Sequence, residues 1–197
     1  MHNIAAMQSG SAGGKKNIPT PEQEAFAGLY WLDKEHSSLA VPARCLHRCL
    51  CKASAKYKVG KTTLTALVTS ALHIAPEMLS LGITDYELNV QSAVVGKARI
   101  FRARGLVFPW SLDFNIFFDD EWISLEVMRK TFPEIIKTAG QLVGVLDFRP
   151  EKGGRFGTFR LVRYELLPVI EQQPVPEAEI IGFDLPMPSR KSKGKAA

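Results

Sequence analysis

The sequence predicts an α+β fold whose elements follow the β-α-β-β-α-β order of a ferredoxin-like core, and three features predict it. A helix with a one-sided apolar stripe (Leu46, Cys49, Leu50, Ala53) opens at Pro42, directly behind a short apolar run. The segment WSLDFNIFF, residues 110–118, alternates at period two. It puts Trp110, Leu112, Phe114, Ile116 and Phe118 on one face and Ser111, Asp113 and Asn115 on the other, as a half-buried antiparallel strand requires. A second helical stretch starts at Ser124, and a glycine-rich loop then leads into a last apolar segment.

Taken in order, residues 1–19 are rich in Gly, Ser and Lys and read as a disordered leader. Thr20, Pro21 and Gln23 supply an N-cap, a proline at the first helical position and a capping-box glutamine, which predicts a short helix to about Ala27. Residues 29–31 and 38–41 are expected to pair as a small hairpin across a polar turn. The helix from Pro42 turns Arg44, Arg48 and Lys52 toward solvent, and Gly60 interrupts the chain after it. Residues 62–73 fit a helix or a strand equally well, and Pro76 ends them. Residues 86–95 and 98–104 are expected as strands, broken by Gly96 and Gly105, with extra strands inserted into the core near residues 98–104. The helix capped by Ser124 has Leu125, Val127, Met128, Ile135, Ile136, Ala139, Leu142 and Val143 on its apolar side, and Pro133 kinks or splits it. Phe159, Leu161 and Tyr164 belong to an expected final strand. The domain so defined spans residues 20–168, and residues 169–197 form a polar, proline-rich tail ending in RKSKGKAA.

A chain of 197 residues has room for one domain with a sizeable core. Its 46% hydrophobic content fits a globular protein. No apolar run approaches the ~20 residues that span a bilayer, and the first residues lack the apolar middle of a secretory signal. A cytoplasmic location without a membrane partner is therefore expected. Cys45, Cys49 and Cys51 are odd in number, which argues against a disulfide framework. No second cysteine pair completes a zinc site with them, so they read as reduced helix cysteines. No metal and no cofactor is expected.

The net charge of +5 is unevenly placed. Six basic residues lie between Arg44 and Lys61 without an acid, and Lys97, Arg99, Arg102 and Arg104 form a second such cluster. Lys152, Arg155, Arg160 and Arg163 make a third, in and after the glycine loop. Clusters of one sign on three separate elements point to a polyanion surface.

Two motifs suggest other chemistry. AKYKVGKTT, residues 55–63, ends like a nucleotide-binding P-loop, but Ala55 replaces the first glycine and a helix precedes it where a buried strand should. FNIFFDDE, residues 114–121, imitates the strand and acid that hold magnesium in such enzymes. Its Asp119 and Asp120 also suit a strand-to-helix turn. His36, His47 and His73 are the candidate general acids or bases, and no nucleophile is marked beside any of them. No catalytic residue is assigned, and the protein is not expected to be an enzyme.

The loop EKGGRFGTF, with Gly153, Gly154 and Gly157 among Arg149, Lys152 and Arg155, resembles the glycine-rich loop of the RAMP superfamily. These are RRM-like proteins of CRISPR complexes that form backbones on guide RNA. LAVPARCLHRCLCKA, residues 39–53, is similar to the strand, proline and helix near the start of RAMP backbone subunits. VGVLDFRPEKGGRFGTF also resembles a segment of uncharacterised proteins carried by bacteriophages and prophages. The resemblance spans residues 29–167. It implies a non-catalytic protein that binds single-stranded RNA or DNA, in or on a CRISPR-type ribonucleoprotein, with residues 98–104 as the counterpart of the family's thumb-like hairpin.

On that reading Arg44, Arg48, Lys52, Arg99, Arg102, Arg104, Lys152 and Arg155 meet phosphates, and Gly153, Gly154 and Gly157 let the backbone approach. Phe156, Phe101 or Tyr57 would stack on bases. The competing expectations are an inhibitor that imitates a backbone subunit and binds its protein neighbours or itself, and a metal-independent ribonuclease using His47 or His73.

Overall fold

Thr20 caps helix α1 (Pro21–Ala27) as expected: its hydroxyl accepts the Gln23 N–H at 3.3 Å, and Gln23 Oε1 accepts the Thr20 N–H at 3.0 Å. The structure is a computed structural model that describes residues 19–95 and 98–167, with only the backbone at 93–95 and 98. Residues 1–18 of the expected leader and the whole of the expected tail, residues 169–197, lie outside the described residues. A compact unit ends at Tyr164.

Strand β1 (Ala40–Pro42) feeds straight into α2 (Ala43–Ser54). It is wholly buried and pairs antiparallel with β5 (Met78–Ser80), Val41 opposite Leu79. On its other side the expected hairpin is reduced to one bridge, Trp31 to Leu39, flanked by the Ala40 N–H to Tyr30 O bond at 2.9 Å. Helix α2 buries Leu46, Cys49, Leu50 and Ala53 at 2% exposure or less and leaves Arg44, Arg48 and Lys52 outside. Burial of such apolar side chains, at roughly 1.5–3 kcal/mol for each large one, is the main force holding α2 in place.

The ambiguous stretch 62–73 holds both structures in turn, strand, helix and strand again. β2 (Lys58–Val59) and β3 (Thr62–Thr63) form a hairpin, α3 (Thr65–Ala71) follows, and β4 (Leu72–Ala75) ends it. β4 pairs antiparallel with β8 (Asn115–Phe118), Ile74 opposite Ile116. The alternating segment is thus a strand only in its second half. Residues 110–114 carry the pattern but belong to no ladder among the described residues.

Between β4 and β8 rises the inserted ribbon, β6 (Glu87–Val95) with β7 (Ala98–Leu106), in register from Glu87–Leu106 to Val95–Ala98. Gly105 does not break β7. It sits inside the ladder beneath Leu29, and the ribbon leans on α1 there.

Ser124 caps α4 (Leu125–Lys130) by accepting the Val127 N–H at 3.4 Å. Pro133 lies in the first turn of a separate helix, α5 (Phe132–Thr138), so the long helix is split, with Thr131 between its halves. α5 continues as a π-helical turn, Ala139–Val143. Phe132, Ile135, Ile136, Ala139 and Val143 are buried with the α2 stripe, whereas Leu125 and Leu142 are exposed. Phe159, Leu161 and Tyr164 do not form the expected last strand. The segment is held instead by single contacts, Phe159 N–H to Gly140 O at 3.2 Å and the Tyr164 hydroxyl to Met128 O at 3.0 Å. Burial raises the Tyr164 phenol above its ordinary value.

The fold is therefore α+β, with short helices and small antiparallel sheets. Among the described residues the strands pair two by two, β1 with β5, β2 with β3, β4 with β8 and β6 with β7.

Cys49 is the buried cysteine of the three, and its Sγ donates to Ala139 O at 3.4 Å. Burial pushes its thiol up to about 12. In native protein at pH 8, a thiol reagent is therefore expected to modify Cys45 and Cys51 while Cys49 reacts only on unfolding. Peptide mapping after iodoacetamide labelling checks this, and early labelling of Cys49 would contradict the packing.

Candidate nucleic-acid interface

The glycine loop is a self-bonded structure. Val145 N–H donates to Gly157 O at 2.9 Å and Phe156 N–H to Phe148 O at 3.0 Å, so the two arms of residues 145–157 run side by side. A 3₁₀ turn (Pro150–Lys152) closes the tip, with Gly153 left-handed at φ 75°. Gly157 is left-handed at φ 66°, and a Cβ on it would overlap the Val145 carbonyl oxygen. Gly154 is not left-handed. It is needed because a Cβ there would overlap the Phe148 carbonyl. Leu146 and Phe148 themselves hold positive φ, 60° and 49°. For bulky residues that conformation is strained and persists only when the surroundings impose it.

Two ion-pair links tie this loop to the other basic elements. Glu151 accepts from Lys52 of α2 and from Arg149 Nε at 3.0 Å. Arg149 also donates to Leu146 O at 2.7 Å. On the other side Arg104 of β7 donates to Asp147 at 2.9 Å. The loop thus lies between the outer face of α2 and the arginine strand of the ribbon.

Arg44, Arg48, Arg99, Lys152 and Arg155 are exposed and carry no ion pair among the described residues. Arg102 is engaged by Glu24 of α1 at 2.8 Å. The pairs on Lys52, Arg102 and Arg104 are solvent-exposed, a class worth ~0–1 kcal/mol, and a phosphate could displace them. Lys97, Arg160 and Arg163 belong to the same clusters in sequence: Arg160 and Arg163 are exposed and follow the loop, and Lys97 lies outside the described residues.

Phe156 is half-buried and packs at a tilt against Phe148, 5.9 Å between centroids, with the Arg155 guanidinium 5.6 Å from the Phe156 ring centre. Phe148 is 46% exposed. Phe101 on β7 is also exposed. Tyr57 is less available for stacking, because its hydroxyl is tied to Glu134 O at 3.0 Å and Thr138 Oγ1 at 2.6 Å.

Sequence reasoning passed over Phe148, Asp147 and Glu151. The acids could have been noticed as the two negative charges inside an otherwise basic loop. Phe148 had no such signal, since only the backbone conformation turns its ring outward. Hydrogen bonds from Lys52 first, and then Arg149, hold the Glu151 carboxyl below its ordinary value. A carboxyl lowered by folding stabilises the native state above its unfolded value, and that contribution fades as pH falls through the folded one. Glu151→Gln should therefore melt below the wild type at neutral pH. The gap should close as pH drops below the ordinary glutamate value of ~4.3, which melts between pH 7 and 3 will show.

The other chemistries can be located as well. Residues 58–63 form the β2–β3 hairpin, with Gly60 at φ 61° and Lys61 at its two-residue turn. That geometry does not aim backbone N–H groups at a phosphate from a helix N-terminus. Asp119 accepts the Glu121 N–H at 3.0 Å in a turn before α4. Asp120, Val59, Leu64 and Trp122 line a mainly apolar cleft of about 170 Å³. His47 is bonded through Nε2 to Val68 O at 3.2 Å, with the Cys51 thiol 3.7 Å from Nδ1. His36 packs at a tilt against Trp31, 4.6 Å between centroids, and His73 is exposed on β4. Among the described residues no three His, Cys, Asp or Glu side chains gather as metal ligands, and no helix is long and apolar enough to cross a membrane.

No protein-family model, no curated protein and no solved structure matches this chain.

Proposed function

We propose that the chain is a RAMP-like protein of phage or mobile-element type that binds single-stranded RNA or DNA without catalysis, in or on a CRISPR-type ribonucleoprotein. One observation carries this reading: the glycine loop is clamped between α2 and β7, so basic groups far apart in sequence border one another. A strand of nucleic acid laid along the loop would meet Arg44, Arg48 and Lys52 on one side. Lys152 and Arg155 would lie beneath it, and Arg104 on the other side. The exposed Phe148, with the half-buried Phe156 beside it, offers a stacking platform, worth ~1–3 kcal/mol per base.

The ferredoxin-like reading rests on the order β1, α2, β4, β8, α4–α5, with β4 and β8 antiparallel as the central hairpin of that fold would be. On this reading the β6–β7 ribbon would be the counterpart of the family's thumb-like hairpin.

The test is fluorescence anisotropy with labelled single-stranded oligonucleotides over a salt series. Binding should weaken steeply with salt. Arg155→Ala should lower affinity and flatten the slope of log K against log salt by ~0.7, as the loss of one phosphate contact does on a single strand. Its melting temperature should stay near that of the wild type, since the side chain is exposed. No binding at low salt would overturn the proposal. Retention of host proteins after nuclease treatment, with no oligonucleotide binding, would favour the inhibitor reading.

A further inference from the structure

β6 and β7 pair with each other and, among the described residues, with no other strand. A two-stranded ribbon is marginal by itself in water and presents two outer edges. The two edges of this ribbon differ. The Ala103 N–H points away from β6 and donates to the Glu24 carboxylate at 3.3 Å. Ala103 and its opposite residue Val90 therefore do not exchange ladder bonds. Alternation then turns the backbone groups of Leu88, Val90, Ser92 and Val94 outward along β6.

The β7 edge is covered in part by Glu24 and carries Arg99, Arg102 and Arg104, so two copies meeting there would bring like charges together. The β6 edge has one charge, Glu87 at its start, and neither proline nor lysine, which are the usual guards of an exposed edge. No backbone bond to another described segment uses its four outward residues.

We propose that β6 is a self-association edge, pairing antiparallel with β6 of a second copy about a twofold axis at Gln91. In this register Leu88 faces Val94 of the second copy and Val90 faces Ser92, so each of the four outward residues finds a partner for both its N–H and its C=O. Glu87 falls opposite Val95, and Gln91 faces its own symmetry mate. No charge stands opposite a like charge, which is why the occupant is a second copy through β6 and not through β7.

The test uses nuclease-treated full-length protein without added nucleic acid, so it is separate from the binding reading. Sedimentation or light scattering should give twice the chain mass of 21.8 kDa. Gln91→Glu and Gln91→Lys each place like charges across the axis and should each yield monomer, while their equimolar mixture should recover a dimer that native mass spectrometry identifies as mixed. Val90→Pro removes an outward N–H that the β6–β7 ladder does not use, and should give monomer with unchanged far-UV circular dichroism. A monomeric wild type overturns the proposal. So does a dimer that survives both charged variants, or a mixture that stays monomeric.

Discussion

Gly157→Val is expected to lower stability by about 3 kcal/mol or more, the scale at which a forbidden backbone conformation combines with a buried overlap. For a protein of this size that is a fall in melting temperature of roughly 6–12 °C. The cause is double. Gly157 is left-handed at φ 66°, where a β-branched residue fits poorly, and any Cβ would drive into the Val145 carbonyl that borders it. That carbonyl belongs to the same residue whose N–H bonds to Gly157 O, so relief of the overlap would open the loop at its root. Gly153 provides the control. It is left-handed at φ 75° with open space around it, and Gly153→Asn should cost little, because asparagine tolerates this conformation. Thermal melts of the two variants decide the matter. Equal losses at both positions would mean that the loop arms are not packed together as described.

The second large effect is expected in binding. Arg44→Glu with Arg48→Glu reverses two exposed charges on successive turns of α2. If both meet phosphates, the slope of log K against log salt should flatten by ~1.4, two contacts at ~0.7 each, and affinity at low salt should fall on the order of tenfold. Stability should change by no more than ~0.5 kcal/mol, since neither side chain is buried. Unchanged affinity and slope would make the α2 face a solvated surface, and would leave the loop and β7 as the remaining candidates.

Much of the local structure was legible in the sequence because it is decided by neighbours a few residues apart. The capping box at Thr20, the Ser124 cap and the α2 stripe all depend on contacts within one or two turns. The ribbon strands were legible for a similar reason, since they are joined by a short connection. The last strand was not legible. Phe159, Leu161 and Tyr164 carry a strand-like pattern, but a strand needs a partner edge, and the chain there is held through Gly140, Met128 and Phe132. The same holds for residues 111–114, whose alternation is as clear as that of β8 but lacks a ladder.

For the candidate site, the sequence by itself determined which residues are basic, that they cluster on three elements, and that glycines punctuate the loop. Only the tertiary structure decided that the loop joins two of those elements, through Glu151 to α2 and Asp147 to β7. It also separated the roles of the glycines: Gly157 serves both φ and space, Gly153 serves φ, and Gly154 serves space. The physical reason is range. Helix caps and amphipathic stripes are set by energies between residues close in sequence, whereas Lys52 and Glu151 meet because the α2 stripe and α5 bury their apolar faces in one core. No periodicity in the chain encodes that pairing.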